Sequence, residues 1–169
     1  ILFFVLAVPG AAFAQESVTR IHILPFDYQD AIIIESDGRF GMVDSGESED
    51  YPDGSDPRYP FRPGTIVGQG TEEKVISYMK SIGVTSDNFD FYIGTHPHSD
   101  HIGSAPQIIS EFKPKRVYTP RYADSYITNT DALWDNQYVY DRLIKSAADN
   151  GALLIQDFDK NASVTPDSG

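Results

Sequence analysis

The chain has 169 residues, the usual size of one domain, and its 40% hydrophobic content is enough for a core. It has no cysteine, which excludes disulfides and thiolate metal sites and leaves histidine nitrogen and carboxylate oxygen as the strong metal ligands. A net charge of −12, from 25 acidic against 13 basic residues, opposes binding to nucleic-acid phosphates or an anionic membrane surface and suits a cationic or zwitterionic ligand better.

Ile1 to Val8 is almost wholly apolar, and Ala12-Phe13-Ala14 has the small-x-small form of a cleavage site. Together they read as the apolar and cleavage regions of a secretory signal over 1–14, cut after Ala14, with its Met and basic leading segment missing. The expected product is a secreted or cell-surface domain over 15–169. The apolar run is too short to span a bilayer. The competing reading is a buried N-terminal helix or strand.

Arg20 to Pro25 and Ala31 to Glu35 are predicted strands around a polar turn. Asp37-Gly38 is a hairpin signal, and Phe40 to Val43 is the returning strand, ending at Asp44-Ser45-Gly46. Glu47 to Gly70, rich in proline, glycine and acids, is a long loop. Its carboxylates could hold Ca²⁺, although their spacing does not match a standard calcium loop and a solvated acidic loop is the simpler reading. Its aromatics Tyr51, Tyr59 and Phe61 favour an ordered loop.

Thr71 is placed to cap a helix whose Val75, Ile76, Met79 and Ile82 share one face, with Gly83 at its end. Phe89 to Ile93 is a short strand, and a helix is predicted from about Gly103 to Phe112. Arg116 to Tyr118 is another strand, and Thr119 to Thr130 a polar loop. A long helix is predicted over Asp131 to Asn150, with an apolar stripe of Leu133, Tyr140, Ile144 and Ala147 and with Trp134 and Tyr138 on a neighbouring face. Ala152 to Ile155 resembles a last strand. Helical patterns alternating with short β-rich runs indicate an α/β fold.

Chemistry concentrates in Thr95-His96-Pro97-His98-Ser99-Asp100-His101-Ile102-Gly103, where three of the four histidines fall within six residues. In an extended segment alternate side chains point the same way, so His96 and His98 can reach one metal. Asp100 and His101 can turn toward a second position as the chain enters the next helix. Imidazole with carboxylate suits zinc best, with manganese or iron possible. A histidine-rich surface turn, or a general-base histidine beside an acid, accounts for only two of these residues.

His96-x-His98-x-Asp100-His101 resembles the signature motif of the metallo-β-lactamase superfamily. Ala31 to Glu35 followed by Phe40 to Gly46 resembles that family's early hairpin, and Gln29-Asp30-Ala31 its approach in the extracellular and competence-related branch. Asp50 to Pro60, Ile127-Thr128-Asn129 and Leu133-Trp134-Asp135-Asn136 resemble the catalytic module of bacterial teichoic-acid phosphorylcholine esterases. The likeness runs from about Ile21 to Ile155.

What the resemblance implies is an αβ/βα sandwich with two Zn²⁺ ions (or Mn²⁺ or Fe). His96 and His98 would hold the first, and Asp100, the one catalytic acid in the set, would hold the second with His101. Asp44 would order the loop rather than bind metal. It also implies a secreted phosphodiesterase that uses metal-activated water to release phosphorylcholine from small or cell-wall-linked esters. Trp134, and with less support Tyr59 and Tyr51, would meet the quaternary ammonium. The family's later histidine, bridging aspartate and final histidine have no match, because no histidine follows His101. The expectation is therefore that only the N-terminal half of the fold is present and that the segment alone is poorly active. The alternatives are another hydrolase of the same fold, such as a β-lactamase or esterase, and a metal-stabilised binding module without catalysis.

Overall fold

The computed structural model describes residues 17–157, so the segment read as a secretory signal lies outside the described residues. Six strands form one sheet: β1 (Thr19–Ile23), β2 (Ala31–Ser36), β3 (Arg39–Ser45), β4 (Phe89–Ile93), β5 (Arg116–Tyr118) and β6 (Leu153–Ile155). They lie side by side in the order in which they occur in the chain. The first three are antiparallel and β3 to β6 are parallel. The β2–β3 turn is built on Asp37 and Gly38, both at positive φ (49° and 75°), the backbone that a two-residue hairpin demands.

Four helices fill the crossovers: α1 (Glu72–Ser81), α2 (Ser99–Ile102), α3 (Ala105–Phe112) and α4 (Asn136–Asp149). Helix α3 packs against both α1 and α4, so the three longer helices share one face of the sheet. The core lies between them: Ile33, Met42, Tyr92 and Val117 from the strands meet Val75 and Met79, Ile108 and Ile109, and Val139 and Leu143 from the helices. The other sheet face carries Ile32, Ile34, Val43, Phe91 and Ile93, all half-buried, and the exposed Ile21, Ile23 and Leu153. Among the described residues no second layer covers it. No helix is long and apolar enough to cross a membrane among those residues.

Several predicted elements shift. The helix expected from Gly103 to Phe112 is two helices, and the first starts earlier, inside the histidine motif. The long last helix begins at Asn136 rather than Asp131. The Asn129 side chain accepts the Asp131 amide and turns Thr130–Ala132 into a short 3-10 segment, and Asp135 takes the N-cap position. Leu133 and Trp134 therefore precede the helix, and its buried face is Asn136, Val139, Tyr140, Leu143, Ser146 and Ala147. Thr71 does stand at the N-cap of α1, but its hydroxyl donates to Gln29 Oε1 (2.8 Å) instead of accepting a helix amide. The 47–70 segment is a loop without regular structure, as expected.

Candidate metal centre

Strands β3 and β4 are parallel neighbours, so the segments leaving their C-terminal ends start side by side. The first begins at Asp44, buried and held at φ 52°; the second is Gly94 to His98, leading into α2. Asp44 joins them. Its carboxylate accepts the Thr95 amide (2.8 Å), the Thr95 hydroxyl (2.6 Å) and His101 Nδ1 (2.9 Å). The Gly46 amide donates to the His101 carbonyl and the Ser104 amide to the Gly46 carbonyl, locking α2 onto the β3 loop. Gly103 permits that approach: a Cβ there would stand 2.4 Å from the Ser99 carbonyl oxygen and 2.9 Å from the Ser48 nitrogen. On the other side, the Asp30 amide donates to the Asp100 carbonyl (3.1 Å).

These contacts bring Asp30, Asp44 and His101 together, each offering a ligand atom within 4.8 Å of the others. Asp30 Oδ2 is 3.5 Å from His101 Nδ1, and Asp100 Oδ2 is 3.7 Å from His101 Nε2. His96 Nε2 and His98 Nδ1 are 3.0 Å apart, and the His96 and His101 rings are 3.9 Å apart between centroids. All four motif residues thus surround one small volume, but the tightest trio is a different set, with Asp30 and Asp44 in place of His96, His98 and Asp100. Through its three hydrogen bonds Asp44 holds the 95–101 segment, and its carboxylate is also close enough to Asp30 and His101 to share an ion.

The hydrogen bonds assign the imidazole protons. A carboxylate only accepts, so His101 Nδ1 donates to Asp44, which makes Nε2 the ring atom that can hold an ion. The Thr95 hydroxyl gives its proton to Asp44, so it accepts from His96 Nδ1 (3.0 Å), which leaves a lone pair on His96 Nε2. Burial, and next the neighbouring imidazoles, push His96 and His98 below the usual histidine range and keep them neutral. Neutral imidazoles oriented by outer partners, beside three carboxylates, suit a divalent transition ion.

Next to the motif lies a cleft of about 330 Å³ lined by Asp27, Gln29, Glu47, Ser99, Asp100 and Trp134, among others. The Trp134 indole stands 4.9 Å from the His98 ring. Gly64, at φ 98°, leaves room for it: a Cβ there would come within 2.9 Å of the indole. Glu47 is buried at the base of this region. Burial raises its carboxyl to about 7, opposed by a hydrogen bond with Ser99 and reinforced by the buried Asp135, itself raised chiefly by burial.

Sequence reasoning missed Asp30, Glu47 and Asp135 as site residues. The only sequence signal for Asp30 was the Gln29-Asp30-Ala31 stretch. Tyr51 and Tyr59 are not at the imidazoles but in a separate cleft. The loop carboxylates do not gather into a calcium-type cluster among the described residues. Asp56 pairs with Arg58, Asp50 with Arg142, and Asp53 accepts the Ser55 amide, so no three loop carboxylates converge among the described residues. His22 is a packing residue, bonded to Tyr78 and Glu35.

No curated protein matches this sequence closely enough to count as a relative. The Metallo-beta-lactamase superfamily profile matches residues 24–167, nearly the whole chain rather than one half of it. With a sheet-and-helix layer presenting imidazoles and carboxylates at its strand ends, and that match across almost its full length, this chain belongs to the metallo-beta-lactamase superfamily.

Proposed function

We propose that the protein is an exported, metal-dependent phosphodiesterase that releases phosphorylcholine from choline-bearing esters. The family and the Asp30–Asp44–His101 cluster support metal-dependent hydrolysis in general. The substrate reading rests on one observation: the indole of Trp134 and the carboxylates of Asp27 and Asp100 line one cleft that opens beside the imidazoles. An electron-rich ring with nearby negative charge attracts a trimethylammonium group and repels a bare anion. Export rests on the apolar Ile1 to Val8 and on Ala12-Phe13-Ala14.

In this reading His96 and His98 hold one ion, and Asp100 and His101 a second, with Asp30 as a further carboxylate for it. Zinc is the first choice and manganese or iron the alternatives. Bound divalent ions supply Lewis-acid polarisation of the phosphoryl oxygens and water acidified to near-neutral pKa. The chain's own residues do the rest. Asp44 keeps the proton on His101 Nδ1, Thr95 keeps one on His96 Nδ1, and Trp134 orients the head group and shields one side of the cleft from solvent.

The test is turnover by the zinc- and manganese-loaded protein on p-nitrophenyl phosphorylcholine, bis(p-nitrophenyl) phosphate and a chromogenic β-lactam. Preference for the first is expected. Equal rates on the two phosphodiesters reject choline recognition, a preference for the lactam rejects phosphodiester chemistry, and bound metal without turnover on any of them indicates a binding module. His98→Ala should remove bound metal by elemental analysis and lower turnover at least a hundredfold.

A further inference from the structure

Trp134 is the only tryptophan in the chain, and it lines the cleft beside the imidazoles. It lies in no regular element, between the Thr130–Ala132 segment and α4. Among the described residues its indole N–H has no hydrogen-bond partner, and 38% of the residue is exposed. A ring without a polar anchor takes its place from packing and from the backbone that carries it. The packing comes from the His98 ring and from Gly64.

The backbone is tied twice. The next residue, Asp135, is buried, and its carboxyl shares a hydrogen bond with Ser99 inside the motif. The carbonyl of Trp134 itself accepts Arg62 Nη1 (2.9 Å). Arg62 is in turn fixed, because its Nη2 meets the Asp124 carboxylate at 2.9 Å and both side chains are mostly covered. The Tyr122 hydroxyl donates to that carboxylate (2.9 Å), and the Asp124 amide donates to Gln137 of α4 (2.9 Å). Two nitrogens of one planar guanidinium thus serve two partners, a fork that a lysine lacks. The Arg62 carbonyl accepts the Thr65 amide (3.2 Å), closing a turn around Gly64. The turn that packs on the indole is therefore the turn that holds its backbone. Arg62 is not among the residues that line the cleft.

We propose that Arg62 is a positioning residue for the cleft, setting the Trp134 indole against His98 without touching substrate. The inference rests on the reading of Trp134 as a recognition wall and names the residue that holds that wall in place. Without the guanidinium, the Trp134 carbonyl turns to water and Asp124 loses its counter-charge. The indole is then free to leave His98 and open to solvent. Substrate affinity falls, while the imidazoles stay where Asp44 and Thr95 hold them.

Because no other tryptophan contributes, the tryptophan emission of the zinc-loaded protein reads this ring alone. Arg62→Met keeps an unbranched stem and removes the N–H groups. It should shift the emission to longer wavelength, raise quenching by acrylamide and leave bound zinc unchanged by elemental analysis. With p-nitrophenyl phosphorylcholine it should raise KM roughly 2–10-fold, the worth of one hydrogen bond, with kcat retained. In a Trp134→Ala background the same change should raise KM no further, because both act through one ring. Asp124→Asn loosens the same anchor and should raise quenching too, so it carries the test if Arg62→Met does not fold. Parent-like quenching in every variant that folds, loss of zinc, or KM effects that add in the double variant overturn the assignment. Quenching is read without turnover, so it decides the role of Arg62 even if the phosphodiesterase reading fails, and parent-like quenching leaves that reading standing.

Discussion

Asp44 occupies a left-handed backbone conformation that costs a non-glycine residue roughly 1–2 kcal/mol, and three hydrogen bonds to its carboxylate offset that strain. Asp44→Asn keeps the shape and removes the charge that fixes the His101 proton. Metal affinity should fall roughly 10–100-fold in competition with a chelator, with the fold retained. An unchanged affinity would show that the Asp44 charge does not tune the metal. Trp134→Ala should raise KM for a phosphorylcholine ester roughly 3–30-fold through the lost cation–ring attraction and leave the choline-free bis-ester unaffected. Equal effects on both substrates would make Trp134 a wall rather than a recognition element. At this scale the sequence disclosed the motif because its four residues lie within six positions and their types state their chemistry. Asp30 and Glu47 were not legible: they reach the motif through the Asp30–Asp100 contact and the Glu47–Ser99 bond, across stretches that no local pattern records. Tyr51 and Tyr59 were misplaced for the same reason, since loop aromatics reveal their type but not which cleft they line.

Elements were readable wherever local stereochemistry decides. Asp37-Gly38 fixes the first hairpin because few residue pairs accept two positive φ angles in succession. Phe89 to Ile93 and Arg116 to Tyr118 appeared where expected. The last helix was read one turn too long because Leu133 was taken as the first residue of its apolar stripe. Tyr140 and Ala147 are buried as expected, but the stripe did not include Val139 and Leu143, two more of its buried residues. The break between α2 and α3 was not read either; there the Glu47–Ser48 backbone lies against Gly103 and the Gly46 carbonyl accepts the Ser104 amide. Gly103→Ala tests this contact. The added methyl meets backbone on two sides, neither able to yield, so a loss of about 1–3 kcal/mol is expected in urea unfolding. Weaker metal binding should accompany it, because α2 carries Asp100 and His101. A variant as stable as the parent, with the same affinity, would show that the contact relaxes easily.

For the molecule as a whole, the buried carboxyl of Glu47 couples folding to pH. Held at about 7 in the fold against an ordinary 4.5, it keeps a proton that the unfolded chain has already released. Stability should therefore fall as pH rises from about 4.5 to about 7 and stay lower above that. Glu47→Gln should flatten this slope and gain on the order of 1–3 kcal/mol at pH 8, measured by denaturant unfolding in the presence of a chelator. Comparison with the parent isolates the effect from His96 and His98, whose depressed values act oppositely and lose stability as pH falls through the ordinary histidine range. If Glu47→Gln shows the parent's slope, another group carries the proton. The general architecture was legible from the alternation of patterns, whereas the one-sided placement of the helices, and the apolar face they leave uncovered among the described residues, came only from the sheet order and the helix contacts.

That sheet order has a consequence for how the protein is made. Each strand finds its partner in the strand synthesised just before it. As the chain emerges N-terminus first, the opening hairpins can close first, and each later crossover adds one strand to a growing edge without displacing what is already paired. The contacts among the loops that carry Asp30, Asp44 and the histidines are made between β1 and α2 in chain order and need neither β5 nor β6.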